Sequence, residues 1–179
     1  KESSAASDVY KRQIWRGNRV SLTFKLIMII MMLLGGFFGL LNETLLTTAL
    51  PSIMKDFNIE YSQVQWLTTA FLLTNAVVIP LSTLVIQRFT TLQVFLTGIF
   101  IFFIGTIVGG FSPNFSMLLI ARIIQVLGSG IMMPLMMTTI LDIFGPNERG
   151  KYMGIFGLVI GLAPAIGPTL SGYLVEYFN

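Results

Sequence analysis

Apolar residues in this chain fall into five long blocks separated by short polar interruptions. Each block is close to the length of helix that spans a bilayer core, about 20 residues at 1.5 Å per residue. The pattern predicts helices over Leu26–Leu50, Val64–Ile86, Leu92–Phe111, Ser116–Ile143 and Tyr152–Phe178. The links Gln87–Thr91 and Ser112–Phe115 leave room only for antiparallel hairpins. The first block is too long for a cleaved signal peptide, and no clean small-x-small cleavage site follows it. The expected fold class is an all-α polytopic membrane protein.

The fourth block carries a charge. After Glu60, the only charged residues before Asp142 are Arg88 and Arg122, and Arg122 lies inside the block. It opens the run Arg122-Ile-Ile-Gln125-Val-Leu-Gly128-Ser-Gly130. An arginine in hydrocarbon costs about 2.5 kcal/mol or more, so it commonly faces a polar cavity or a partner. A second charge, Glu43, stands in the first block within Leu41-Asn42-Glu43-Thr44-Leu-Leu-Thr47-Thr48-Ala49-Leu50-Pro51. Helical rise puts Glu43 about 12 Å from the Pro51 end of its block and Arg122 about 9 Å from the Ser116 end of its own. In an antiparallel arrangement the two depths match, so Glu43 and Arg122 are expected partners, directly or through water.

Gly36, Gly39 and Thr47 share the Glu43 face, and small residues there suggest a cavity or a close helix neighbour. Arg122, Gln125, Ser129, Met132 and Met136 form a second face, with methionines that suit adaptable binding surfaces or plain packing. With Asn42, these are the candidate cavity residues. On the fifth block, positions 154, 157, 161, 165, 168 and 172 are all Gly, Ala or Pro. That spacing predicts a continuous groove for close backbone approach. Pro164 and Pro168 each remove a backbone donor and should bend the helix.

Composition narrows the class. The chain is 54% hydrophobic and 11% charged, with a mean hydropathy of +0.81, against about 25% charged residues in soluble domains. It has no cysteine and no histidine, which removes disulfides, thiolate chemistry and nearly all transition-metal sites. No metal or cofactor is expected. The sequence contains no His-Glu-x-x-His and no nucleophile elbow, so an enzyme is not expected either. A pI near 9.4 does not imply nucleic acid, because the basic residues sit at block ends. Arg16, Arg19, Lys25, Arg88, Arg149 and Lys151 fall on one side and Lys55 alone on the other, which predicts a cytoplasmic N-terminus.

Ser3-Ser-Ala-Ala-Ser-Asp-Val-Tyr-Lys-Arg-Gln13 looks like the in-frame translation of a transposase sequencing adapter. Residues 1–13 are therefore set aside as an expected scar. Residues 14–25 are expected to be a cytoplasmic segment, and 26–179 the first five helices of an incomplete bundle.

Three stretches together resemble the major facilitator superfamily, specifically the drug:proton antiporters of its fourteen-helix branch. Leu41 to Pro51 is similar to that branch's first-helix motif; the usual acid falls at Asn42 and Glu43 follows, a variant resembling the lincomycin-resistance-type subgroup. Leu118-Leu-Ile-Ala-Arg122-Ile-Ile-Gln125-Val-Leu-Gly128-Ser-Gly130 resembles the fourth-helix motif, whose arginine the resemblance implicates in proton coupling. Gly157 to Gly172 is similar to the fifth-helix antiporter motif, carried here by Gly157, Gly161, Pro164, Gly167, Pro168 and Gly172. Asn147-Glu-Arg149-Gly150 resembles the cytoplasmic loop before that helix. The loop between helices two and three departs from the family pattern and keeps only Arg88.

The resemblance implies proton-gradient-driven export of small amphipathic compounds across a bacterial cytoplasmic membrane, with Glu43 and Arg122 as the coupling pair. The alternatives are a non-transporting fragment or accessory subunit, and an uptake permease.

Overall fold

The computed structural model describes residues 22–178. Residues 1–21 and 179 lie outside the described residues, as does the Lys25 side chain; the adapter-like stretch, Arg16 and Arg19 are among them. The elements are α1 (Leu22–Asp56), α2 (Tyr61–Val64), α3 (Trp66–Arg88), α4 (Thr91–Gly110), α5 (Phe115–Ser129), α6 (Met132–Ile143) and α7 (Pro146–Phe178). They form five helical spans long and apolar enough to cross a membrane, with α5 and α6 together making the fourth. In hydrocarbon no water completes the backbone, so each span must satisfy its N–H and C=O groups internally, as a helix does.

The tight turns are built by side-chain caps. Thr90 and Gln93 form a reciprocal box at the start of α4: the Thr90 hydroxyl accepts from Gln93 N at 3.3 Å, and Gln93 Oε1 accepts from Thr90 N at 3.2 Å. Asn114 Oδ1 accepts from Met117 N at 2.9 Å and starts α5. Each cap satisfies a donor that the first helical turn leaves open. At the other end of the fourth span, Arg149 donates from Nε to Phe144 O at 3.0 Å and from Nη2 to Leu141 O at 2.7 Å. It thereby occupies the last carbonyls of α6 and ties that end to the start of α7.

Two sequence boundaries shift. Pro51 does not end the first helix, which continues to Asp56; one missing donor removes one hydrogen bond, and the last turn survives. The fourth span is interrupted at Gly130–Ile131. Pro134 explains the break, because it has no N–H to give to the Gly130 carbonyl one turn back.

The fourth span is the hub, with 39% of its most apolar stretch buried against 11–22% for the other four. It packs against α4 most closely, then against α3 and α1, while α1 also lies along α7. The α4–α5 crossing is backbone to backbone. A Cβ on Gly105 would come within 2.7 Å of the Gln125 nitrogen, and one on Gly128 would overlap the Gly98 carbonyl oxygen. A buried cluster of Met28, Ile29, Met32, Phe95, Leu135, Met136 and Ile140 fills the bundle between α1, α4 and α6.

The small-residue stripe expected on the fifth span meets no close neighbour among the described residues. Gly154, Gly157, Gly161 and Gly172 have open space where a Cβ would sit, and Pro164, Ala165 and Pro168 are exposed. The packed face is instead Ala163, Gly167 and Ser171. A Cβ on Gly167 would overlap the Thr44 hydroxyl, and Ser171 Oγ donates to Leu45 O at 3.1 Å. Residues four apart share a face, and the face that α7 turns to α1 is not the one with the most small residues.

Candidate functional site

Arg122 is 4% exposed and sits where α1, α3 and α5 meet. Its Nη1 donates to Asn42 Oδ1 at 2.6 Å and to Gln125 Oε1 at 3.0 Å. Its guanidinium carbon stands 4.8 Å from the centroid of the Phe71 ring, a cation–π contact strengthened by desolvation. Gln125 in turn donates from Nε2 to Thr106 Oγ1 at 3.1 Å, so the polar chain reaches α4. Arginine tolerates such a site because its charge is delocalised and only weakly hydrated. Its Nε is buried without a hydrogen-bond partner, a donor left open inside the bundle.

The expected direct pairing of Glu43 with Arg122 is not found: Arg122 bonds to Asn42, and no ion pair joins the two charges. Consecutive helical residues diverge by roughly 100°. When Asn42 faces Arg122, Glu43 is therefore turned aside. The half-buried Glu43 lines a cavity of about 690 Å³ between α1, α3, the fourth span and α7. That volume is within the range of small-molecule sites, about 300–1,000 Å³. Gly36 and Gly39 form the α1 wall beside Glu43, Phe71 and Asn75 the α3 wall, and Phe156 and Ile160 the α7 wall.

The candidate cavity residues divide. Ser129 and Met132 line the cavity. Asn42 and Gln125 belong to the polar network around Arg122 rather than to the wall. Met136 is in neither place: it is 1% exposed, its Cε packs close to Gly36, and Met133 and Met137 line the cavity instead. Thr47 is exposed and outside the wall. Phe71, Asn75 and Thr106 were not anticipated. Phe71 and Asn75 are four apart and so share a face, and Thr106 is the one polar side chain between Ile99 and Gly110. Arg149 caps α6, and Arg88 ends α3, where a cation favours the helix dipole. Among the described residues, no group of three or more His, Cys, Asp or Glu could hold a metal ion.

Five apolar helical spans, with two charged side chains near one cavity, define a polytopic membrane protein. The Major Facilitator Superfamily model matches residues 32–179, and the chain belongs to that family. It is 56% identical over 148 residues to an uncharacterized MFS-type transporter, YcnB, of Bacillus subtilis (strain 168), covering 83% of this chain and 31% of that protein. It is 48% identical over 150 residues to the lincomycin resistance protein LmrB of the same organism, covering 84% and 31%. To the multidrug transporter protein MdtP, also of B. subtilis, it is 37% identical over 143 residues, covering 80% and 26%. The chain thus spans about a third or less of the length of these curated relatives.

Proposed function

We propose that this chain is part of a proton-driven exporter of amphipathic compounds, with Glu43 as the group that exchanges a proton for substrate. The observation that carries the reading is the division of labour between adjacent residues on α1. Asn42 holds the buried guanidinium, and Glu43 stands in the cavity wall one position further on. A carboxylate in an apolar cavity is favoured when it is protonated or when a cation is beside it. Export then runs as a cycle in which a cationic substrate replaces the proton on Glu43 and a returning proton displaces the substrate.

The remaining helices of the relatives supply the opposite wall in this reading, since alternating-access sites lie between repeat-built halves. The lincomycin resistance and multidrug relatives support a drug-like, amphipathic cargo, and the flexible Met133 and Met137 in the wall fit a tolerant pocket. The membrane is the bacterial cytoplasmic membrane with Arg88 and Arg149 facing the cytoplasm, as loop charge bias favours. In the full-length transporter, Glu43→Gln abolishes proton-dependent export of a cationic dye while dye binding partly survives, and Arg122→Ala also stops export. Export by Glu43→Gln at the wild-type rate would place the proton carrier elsewhere.

A further inference from the structure

We propose that Thr106 on α4 is a positioning residue that locks the Gln125 amide with its acceptor end towards Arg122. A glutamine side chain has an acceptor end and a donor end, whereas guanidinium has donors only. Gln125 can anchor Arg122 only through Oε1; turned over, it would set donor against donor.

Arg122, itself on α5, already disfavours the turned-over amide, and Thr106 reinforces the choice from α4. The Thr106 hydroxyl hydrogen is committed to the Phe102 carbonyl at 2.9 Å. That leaves only lone pairs facing α5, and these draw Gln125 Nε2 to 3.1 Å. Oε1 is thereby left for Arg122 at 3.0 Å. The reach depends on the glycine crossing: Gly105, next to Thr106, lets α4 ride on the Gln125 backbone. A single hydroxyl on the third span thus orients the arginine that Asn42 holds from the first.

The consequence for transport rests on the proton-exchange reading above; the orientation itself does not. In the full-length protein, Thr106→Val keeps the side-chain shape and removes the acceptor, while Thr106→Ser keeps the acceptor. The expected result is a shift of about half a pH unit or more in the midpoint of proton-dependent tetraphenylphosphonium export for Thr106→Val, with wild-type behaviour for Thr106→Ser. Thr106→Ala, which cannot overpack the crossing, repeats the effect of Thr106→Val.

The second readout needs no transport. Thr106→Val lowers the unfolding temperature of the purified protein, and in a Gln125→Ala background it has no further effect, because the amide it orients is gone. Equal damage from Thr106→Ser and Thr106→Val overturns the proposal, as does an undiminished effect of Thr106→Val in the Gln125→Ala background. Absence of proton-dependent export by the wild type would refute the exporter reading alone, and the thermal cycle would still decide the role of Thr106.

Discussion

Two glycine-bearing surfaces of this molecule look alike in sequence and behave in opposite ways. The stripe on α7, from Gly154 to Gly172, carries small residues at every third or fourth position, yet most of it faces open space. The α4–α5 crossing uses fewer small residues, and there the backbones touch, with Gly105 against Gln125 and Gly128 against Gly98. Small residues at helical spacing state that a neighbour can approach closely; they do not state which neighbour. At the crossing the neighbour is within the described residues. The glycines of the α7 stripe meet open space among the described residues, and Gly167, on the adjoining face, meets Thr44.

Substitution by leucine should separate the two surfaces. Gly128→Leu forces a side chain into the α4 backbone, where no rotamer change makes room, and overpacking on that scale costs about 1–3 kcal/mol or more. The expected outcome is loss of folded protein after detergent extraction. Gly167→Leu meets a threonine side chain, which can move, so a partial loss is expected. Gly161→Leu meets nothing in this segment and should extract normally, with its effect confined to transport by the full-length protein. Equal yields from Gly128→Leu and Gly161→Leu, measured by size-exclusion chromatography, would show that the crossing is no tighter than the stripe.

A smaller effect is expected from Asn42→Ala, which leaves the Arg122 guanidinium with Gln125 and Phe71 only. Loss of a hydrogen bond to a charged group costs about 1.5–3 kcal/mol, so the unfolding temperature of the full-length protein should fall. Asn42→Asp should restore it by pairing the charge, and a neutral outcome from both would make the short contact incidental. The smallest perturbation is a single-cysteine probe at Arg149 in this cysteine-free chain. No labelling by an impermeant thiol reagent in intact cells is expected, and efficient labelling would reverse the proposed orientation.

The spans were legible because an apolar block of that length admits little else, and their ends shifted by a few residues. Gln125 and Arg122 were visible as polar side chains in hydrocarbon. The identity of the Arg122 partner was not. Asn42 and Glu43 are neighbours in the chain, and only the rotation of α1 about its axis, set by packing of Met32 and Gly36 against α4 and α6, decides which of them faces α5. The same holds for α7, where the packed face follows Thr44 and Leu45 on α1 rather than the density of small residues. Met133 and Met137 are four apart on α6 and share the cavity face, while Met136 packs in the core. Asn75 carried a signal as an amide within an apolar block.

In the proposed cycle the cavity carboxylate, and not the buried network behind it, carries the exchanged proton. The direct measurement is substrate-induced proton release from purified full-length protein in weakly buffered detergent solution, followed with a pH indicator on addition of tetraphenylphosphonium. Wild-type protein should release protons in a saturable manner, Thr106→Ser should do the same, and Glu43→Gln should release none while still binding the cation. Proton release from Glu43→Gln equal to that of the wild type would contradict the account and make Glu43 a structural residue.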